Sequence, residues 1–119
     1  MKIVYIDDMV DDLVLARLVI EKRLGHQFCS YSSCLDAVAD IKTADIIFLD
    51  YTMPLMNGEE FYDKYIKGEN IPVVFCSKIA DFLRSQFRGN DRNVYFLKKP
   101  YTIAQMEQLI KTICSHAQR

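Results

Sequence analysis

Two hydrophobic rhythms alternate along this chain. Unbroken apolar runs occur at Ile3-Val4-Tyr5-Ile6, Ile46-Ile47-Phe48-Leu49 and Pro72-Val73-Val74-Phe75-Cys76. Short runs of this kind mark central strands covered on both faces. Weaker β-like segments lie at Gln27 to Tyr31 and Asn93 to Leu97. Between them the apolar positions fall at helical spacing. From about Asp11 to Leu24, a stripe of Leu13, Ala16, Leu18, Ile20 and Leu24 predicts a helix that Gly25 stops. Ser32-Ser33 can cap a helix from about Cys34 to Ile41. Further helices are predicted over Glu59 to Lys67, over Ile79 to Phe87 with Gly89-Asn90 breaking it, and over about Ile103 to Ser115. The last carries Ile103, Met106, Leu109, Ile110 and Ile113, whereas Pro54 and Gly58 keep the segment before the third helix irregular.

Five strands alternating with five helices predict an α/β fold: a parallel sheet with helices on both faces. Right-handed crossovers leave few topologies, and the flavodoxin-like, doubly wound order 2-1-3-4-5 fits best. The 119 residues suit one domain, 1–119, because halves of that length could not bury a self-sufficient core.

The polar residues that follow the strands change the picture from fold to chemistry. Asp7 and Asp8 close the first strand, Asp50 the third, Ser77 the fourth and Lys99 the fifth. In a doubly wound sheet ligands bind beyond these carboxyl ends, near the switch in strand order. Crowded carboxylates repel one another unless a cation compensates. A hard divalent ion such as Mg²⁺ meets that need and binds phosphate oxygens as well. Asp50 is then a credible nucleophile toward phosphorus, with Lys99 and the Ser77 hydroxyl placed to stabilise a phosphoryl group.

Composition narrows the remaining classes. With 15 basic and 16 acidic residues, net charge −1, the chain has no electrostatic footprint for nucleic acid or an anionic membrane. No apolar run approaches a bilayer span, and the early acidic pair is unlike a secretory signal, so a cytoplasmic location is expected. Cys29, Cys34, Cys76 and Cys114 lack C-x-x-C spacing and are expected to be buried free thiols. His26 and His116 are expected at the surface, away from the inferred site.

The acidic pair, the D-Y-T-M-P-L-M-N-G string from Asp50 to Gly58, Ser77 and Lys99-Pro100 together resemble a response-regulator receiver domain. The likeness to single-domain chemotaxis regulators runs over essentially the whole chain. It implies that Asp50 is the phosphoacceptor and Asp8 a direct Mg²⁺ ligand, with Asp7 acting through a metal-bound water. The Thr52 backbone carbonyl would be a further metal contact. Lys99 would pair with the phosphoryl group and Ser77 would swing in to hydrogen-bond it. Phe96, three residues before the lysine, would change rotamer as the switch.

The resemblance also implies partners. A histidine kinase or histidine phosphotransfer protein would donate the phosphate. An unknown downstream protein would read the face made by the fourth helix, fifth strand and last helix, with phosphorylation-dependent dimerisation as another output through Tyr95, Phe96 and Tyr101. Such a domain is not expected to turn over a separate substrate. Two other readings stand beside it: a Mg²⁺-dependent phosphatase or phosphotransferase, and a degenerate receiver used only for binding. Against the first, Thr52 occupies the place where such phosphohydrolases carry a second aspartate. Lys78 and Ile79 depart from or vary within the family pattern. A long cation at 78 would restrict access of the donor or add a contact to phosphate. Apolar Ile79 cannot orient an attacking water, which predicts a phosphoryl group that is not unusually short-lived.

Overall fold

The structure is a computed structural model and describes residues 1–53, 56–87 and 93–117. Its strands are β1 (Lys2–Ile6), β2 (Gln27–Tyr31), β3 (Ile46–Asp50), β4 (Val73–Ser77) and β5 (Val94–Lys98). The helices are α1 (Val10–Arg17), continued by a π-helical stretch over Leu18–Arg23, α2 (Cys34–Ala37), α3 (Gly58–Phe61), α4 (Ala80–Gln86) and α5 (Ile103–Ala117). A 3₁₀ stretch, Val38–Thr43, extends α2, and a π-helical stretch, Tyr62–Ile66, extends α3. All strand pairs are parallel, in the order β2-β1-β3-β4-β5. The predicted topology is therefore the observed one.

Side chains alternate across a strand, and that alternation builds two cores. Ile3, Tyr5, Ile46, Phe48, Val74, Cys76 and Leu97 pack with Ala16, Val19 and Ile20 of the first helical segment and Met106, Ile110 and Ile113 of α5. Val4, Ile6, Ile47, Leu49, Val73 and Phe75 pack on the other face with Ala37, Ile41, Phe61, Tyr62 and Ile66. Central β1, β3 and β4 are buried nearly throughout, which explains why their sequences are unbroken apolar runs.

Some sequence expectations need correction. Leu18 is 42% exposed, because the stripe that packs inward runs through Ala16, Val19 and Ile20. Tyr101 is buried rather than part of an exposed output face; its hydroxyl shares a 2.6 Å hydrogen bond with that of Tyr5. All four cysteines are free, but only Cys34 and Cys76 are buried, while Cys29 and Cys114 are half-buried. His26 is also half-buried, at the end of the sheet opposite the site. The proposed break at Gly89-Asn90 and the Pro54 position lie outside the described residues.

Candidate functional site

The alternation that builds the cores also aims the site residues. Asp50 is in step with Ile46 and Phe48, Asp7 with Ile3 and Tyr5, and Lys99 with Leu97, so all are directed to the α1–α5 face. Pairing of Ile6 with Leu49, and of Asp50 with Cys76, brings the ends of β1, β3 and β4 side by side. After β3 the chain turns back: the Tyr51 amide donates to the Cys76 carbonyl at 3.1 Å, and the Gly58 amide to the Tyr51 carbonyl at 2.8 Å.

The N-G of the sequence string has a structural reason. Asn57 caps α3 through a reciprocal box: its Oδ1 accepts from the Glu60 amide at 2.9 Å, and its own amide donates to Glu60 Oε1 at 3.3 Å. Gly58 lies directly against the loop that follows Asp50. A Cβ there would stand 3.0 Å from Tyr51 Cα and 3.1 Å from the Asp50 carbonyl oxygen.

Lys99 is the hub of the site. Its Nζ donates to Asp7 Oδ2 at 2.7 Å, to Asp12 Oδ2 at 2.9 Å and, most weakly, to Asp50 Oδ1 at 3.4 Å. Its backbone amide donates to the Ser77 carbonyl at 3.0 Å, and the Lys99–Pro100 peptide is cis. Asp7 is fully buried, and its second oxygen accepts from the Met9 amide at 2.9 Å. Both Asp7 oxygens are thus engaged, whereas Asp8 is exposed and has no hydrogen-bond or ion-pair partner among the described residues. Ser77 is buried, and its Oγ accepts from the Ile79 amide at 3.1 Å.

Electrostatics mark this cluster as charge-frustrated. Burial, reinforced by the Asp7 charge and opposed by Lys99, raises the Asp50 pKa to about 6. Burial raises Asp7 as well, against the opposing hydrogen bonds from Lys99 and Met9. Burial disfavours the Lys99 ammonium, but the hydrogen bonds to Asp7 and Asp12 outweigh it and hold its pKa above the ordinary lysine value.

One carboxylate oxygen from each of Asp7, Asp8 and Asp50 lies within 4.8 Å of the others. Hard oxygen donors with excess negative charge fit Mg²⁺. A cavity of about 480 Å³ opens over the cluster, lined by Asp8, Met9, Asp12, Asp50, Thr52, Ser77, Lys78, Ile79 and Lys99. The structure therefore brings together Asp7, Asp8, Asp50, Thr52, Ser77 and Lys99. Phe96 stands apart, its ring 5.8 Å from that of Phe75 and 5.6 Å from that of Phe87. The residue that sequence reasoning missed is Asp12. Its signal was an acid in the first turn of the helix that follows the acidic pair; such an acid is ordinarily read as complementing the helix dipole.

No protein-family profile matches the chain. It is 32% identical over 77 residues, 60% of its length, to protein-glutamate methylesterase/protein-glutamine glutaminase 1 of Anaeromyxobacter dehalogenans, of which the match spans only 22%. Among solved structures it resembles the Vibrio cholerae chemotaxis protein CheY4, with TM-score 0.80 and 17% identity over 94% of this chain and 97% of that one. The receiver domain of the hybrid histidine kinase CckA gives TM-score 0.74 and 23% identity over 95% and 98%. A two-component response regulator from Clostridium difficile gives 0.79 and 20% over 100% and 99%. The chain has the flavodoxin-like fold of response-regulator receiver domains.

Proposed function

We propose that the chain is a phosphorylation switch of a two-component or phosphorelay system, with Asp50 as its phosphoacceptor. The observation that carries this is the placement of Asp50: a buried carboxylate ending β3, with Asp7 and Asp8 beside it and Lys99 3.4 Å away. Asp8, Asp50 and the Thr52 carbonyl would hold Mg²⁺ directly. Asp7, already engaged by Lys99 and Met9, would reach it through a water. Bound there, Mg²⁺ would neutralise charge on the phosphoryl oxygens.

Ionised Asp50 attacks phosphorus: an Asp50 oxygen–phosphorus bond forms as the donor's bond to phosphorus breaks. The donor leaves with the bonding electron pair; a histidine donor whose other ring nitrogen carries a proton leaves as neutral imidazole. In loss of signal, a water oxygen bonds to phosphorus and the Asp50 oxygen–phosphorus bond breaks, releasing phosphate and the free carboxylate. Lys99 turns one of its N–H groups to a phosphoryl oxygen. Ser77 exchanges its bond with the Ile79 amide for one in which its hydroxyl donates to the phosphoryl group.

The donor is a protein, a histidine kinase or histidine phosphotransfer protein, and a surface beside the cavity supports this. Val10, Val14 and Leu18, spaced by four along the first helical segment, are 71%, 66% and 42% exposed, and Met9 at the cavity wall is exposed too. A contiguous apolar stripe of this kind marks a protein contact. Output passes through the α4–β5–α5 face to a downstream protein or a second phosphorylated copy. Phe96 acts there as the switch residue, with the Arg84 guanidinium 5.6 Å from its ring.

Incubation with Mg²⁺ and acetyl phosphate, followed by mapping of the label, tests this reading. Label on Asp50 that disappears in Asp50→Asn is the expected result. Absence of label, or label that survives the substitution, overturns it, and steady turnover of an added phosphoester would make the protein an enzyme instead.

A further inference from the structure

Asp12 has no part in the function proposed above, yet it makes one of the three carboxylate contacts of the Lys99 ammonium. An ammonium has three N–H donors. Here Asp7, Asp12 and Asp50 take all of them, and the Asp50 contact is the longest at 3.4 Å. Asp12 is also the most solvent-exposed of the three, its side chain 31% exposed against 0% and 8% for Asp7 and Asp50. It sits on the wall of the same cavity.

We propose that Asp12 is a positioning residue that holds Lys99 back from Asp50 in the unphosphorylated state and so sets the threshold for phosphorylation. This rests on Asp50 being the phosphoacceptor. Asp12 acts only through Lys99 and the local charge. To advance past its long contact with Asp50 and reach a phosphoryl oxygen there, Lys99 must also give up one of its two shorter carboxylate contacts. Asp7 is buried and cannot be left without its cation at low cost. Asp12 can turn to water, so its contact is the one released. The covalent step is unchanged; what moves is one N–H hydrogen bond, from Asp12 to the phosphoryl group.

Charge points the same way. Asp7, Asp8, Asp12 and Asp50 exceed Lys99 plus one divalent cation by a single negative charge, with the exposed Lys78 the other cation on the cavity wall. An incoming phosphodonor is itself an anion. Asp12 therefore raises its barrier by direct repulsion as well as by occupying Lys99.

The test compares wild type, Asp12→Asn and Asp12→Glu, with rates of Asp50 labelling measured in Mg²⁺. Asparagine keeps the size of Asp12 and removes its charge. Asp12→Asn should label roughly fivefold faster with acetyl phosphate, the scale of a partly screened charge contact. The gain should be smaller with phosphoramidate, which carries less negative charge, and should shrink toward about 1 M salt. Asp12→Glu, which keeps the carboxylate, should return the rate toward wild type. Equal or slower labelling of Asp12→Asn overturns the proposal. So does a gain that is the same for both donors and indifferent to salt, which would signal loosened structure. Wild type that labels while Asp12→Asn behaves identically removes this inference alone; wild type that takes no label removes the phosphoacceptor reading and this with it.

Discussion

Two lysines stand at opposite ends of the sheet, and their surroundings teach what separates a structural ion pair from a site. Lys2, at the start of β1, lies 3.2 Å from Asp40 and 2.7 Å from the Thr43 hydroxyl. One cation there meets one carboxylate and a neutral oxygen, and the contact is complete. Lys99, past the end of β5, meets three carboxylates in a more buried setting, with Asp8 close by and without a hydrogen-bond or ion-pair partner among the described residues. The first arrangement closes on itself, whereas the second is short of positive charge and calls for a cation.

Breaking the Lys99 hub should have the largest effect. Lys99→Met leaves buried Asp7 without its cation and should cost the metal-free fold about 3 kcal/mol in chemical denaturation. Added Mg²⁺ should recover part of that loss. Lys2→Met should cost no more than about 1 kcal/mol and show no response to Mg²⁺, since its pair is partly exposed. Equal losses in the two variants would erase the contrast.

Next comes Asp50, the proposed phosphoacceptor. The folded pKa of Asp50, about 6, stands above the ordinary carboxylate value of 3.8. Its contribution to stability is fully present below the ordinary value and is lost as pH rises through about 6. The metal-free fold should therefore weaken between those limits, and Asp50→Asn should be the more stable protein at neutral pH, by about 2 kcal/mol. Mg²⁺ affinity, measured by calorimetry, should fall as pH drops below about 6, where a proton displaces the cation. A pH-independent affinity would contradict this. Gly58→Ala should have a smaller effect, about 1 kcal/mol in thermal unfolding, because its methyl group meets backbone rather than a yielding side chain. Last, phosphorylated wild type should keep its label for longer than seconds in Mg²⁺, because Ile79, on the cavity wall, is apolar.

The fold was legible because the three central strands are covered on both faces and so read as apolar runs that end in polar residues. The same ends displayed Asp7, Asp8, Asp50 and Ser77, and the end of edge strand β5 added Lys99. Helix detail was harder to read. Leu18 fits an amphipathic stripe, but the helix continues as a π-helical stretch there, and its packed line passes through Val19 and Ile20. Tyr101 carries a polar tip that suggests surface, yet Tyr5 satisfies that tip inside the core. Asp12 escaped notice for a related reason: its contact with Lys99 joins residues 87 positions apart, and only the folded sheet brings them together.

The alternation of side chains along β3 and β4 has one further consequence. Asp50 is in step with the residues that pack on α1 and α5, while Ser77 is in step with Val73 and Phe75, which face the α2–α3 layer. The two adjoining strands thus present their last polar groups from opposite phases of the pleat. A ligand touching both is a rivet through the sheet's rim, fastening its two helical coats to one another. Lengthening β3 by a single residue would turn its final side chain to the other coat and unfasten them.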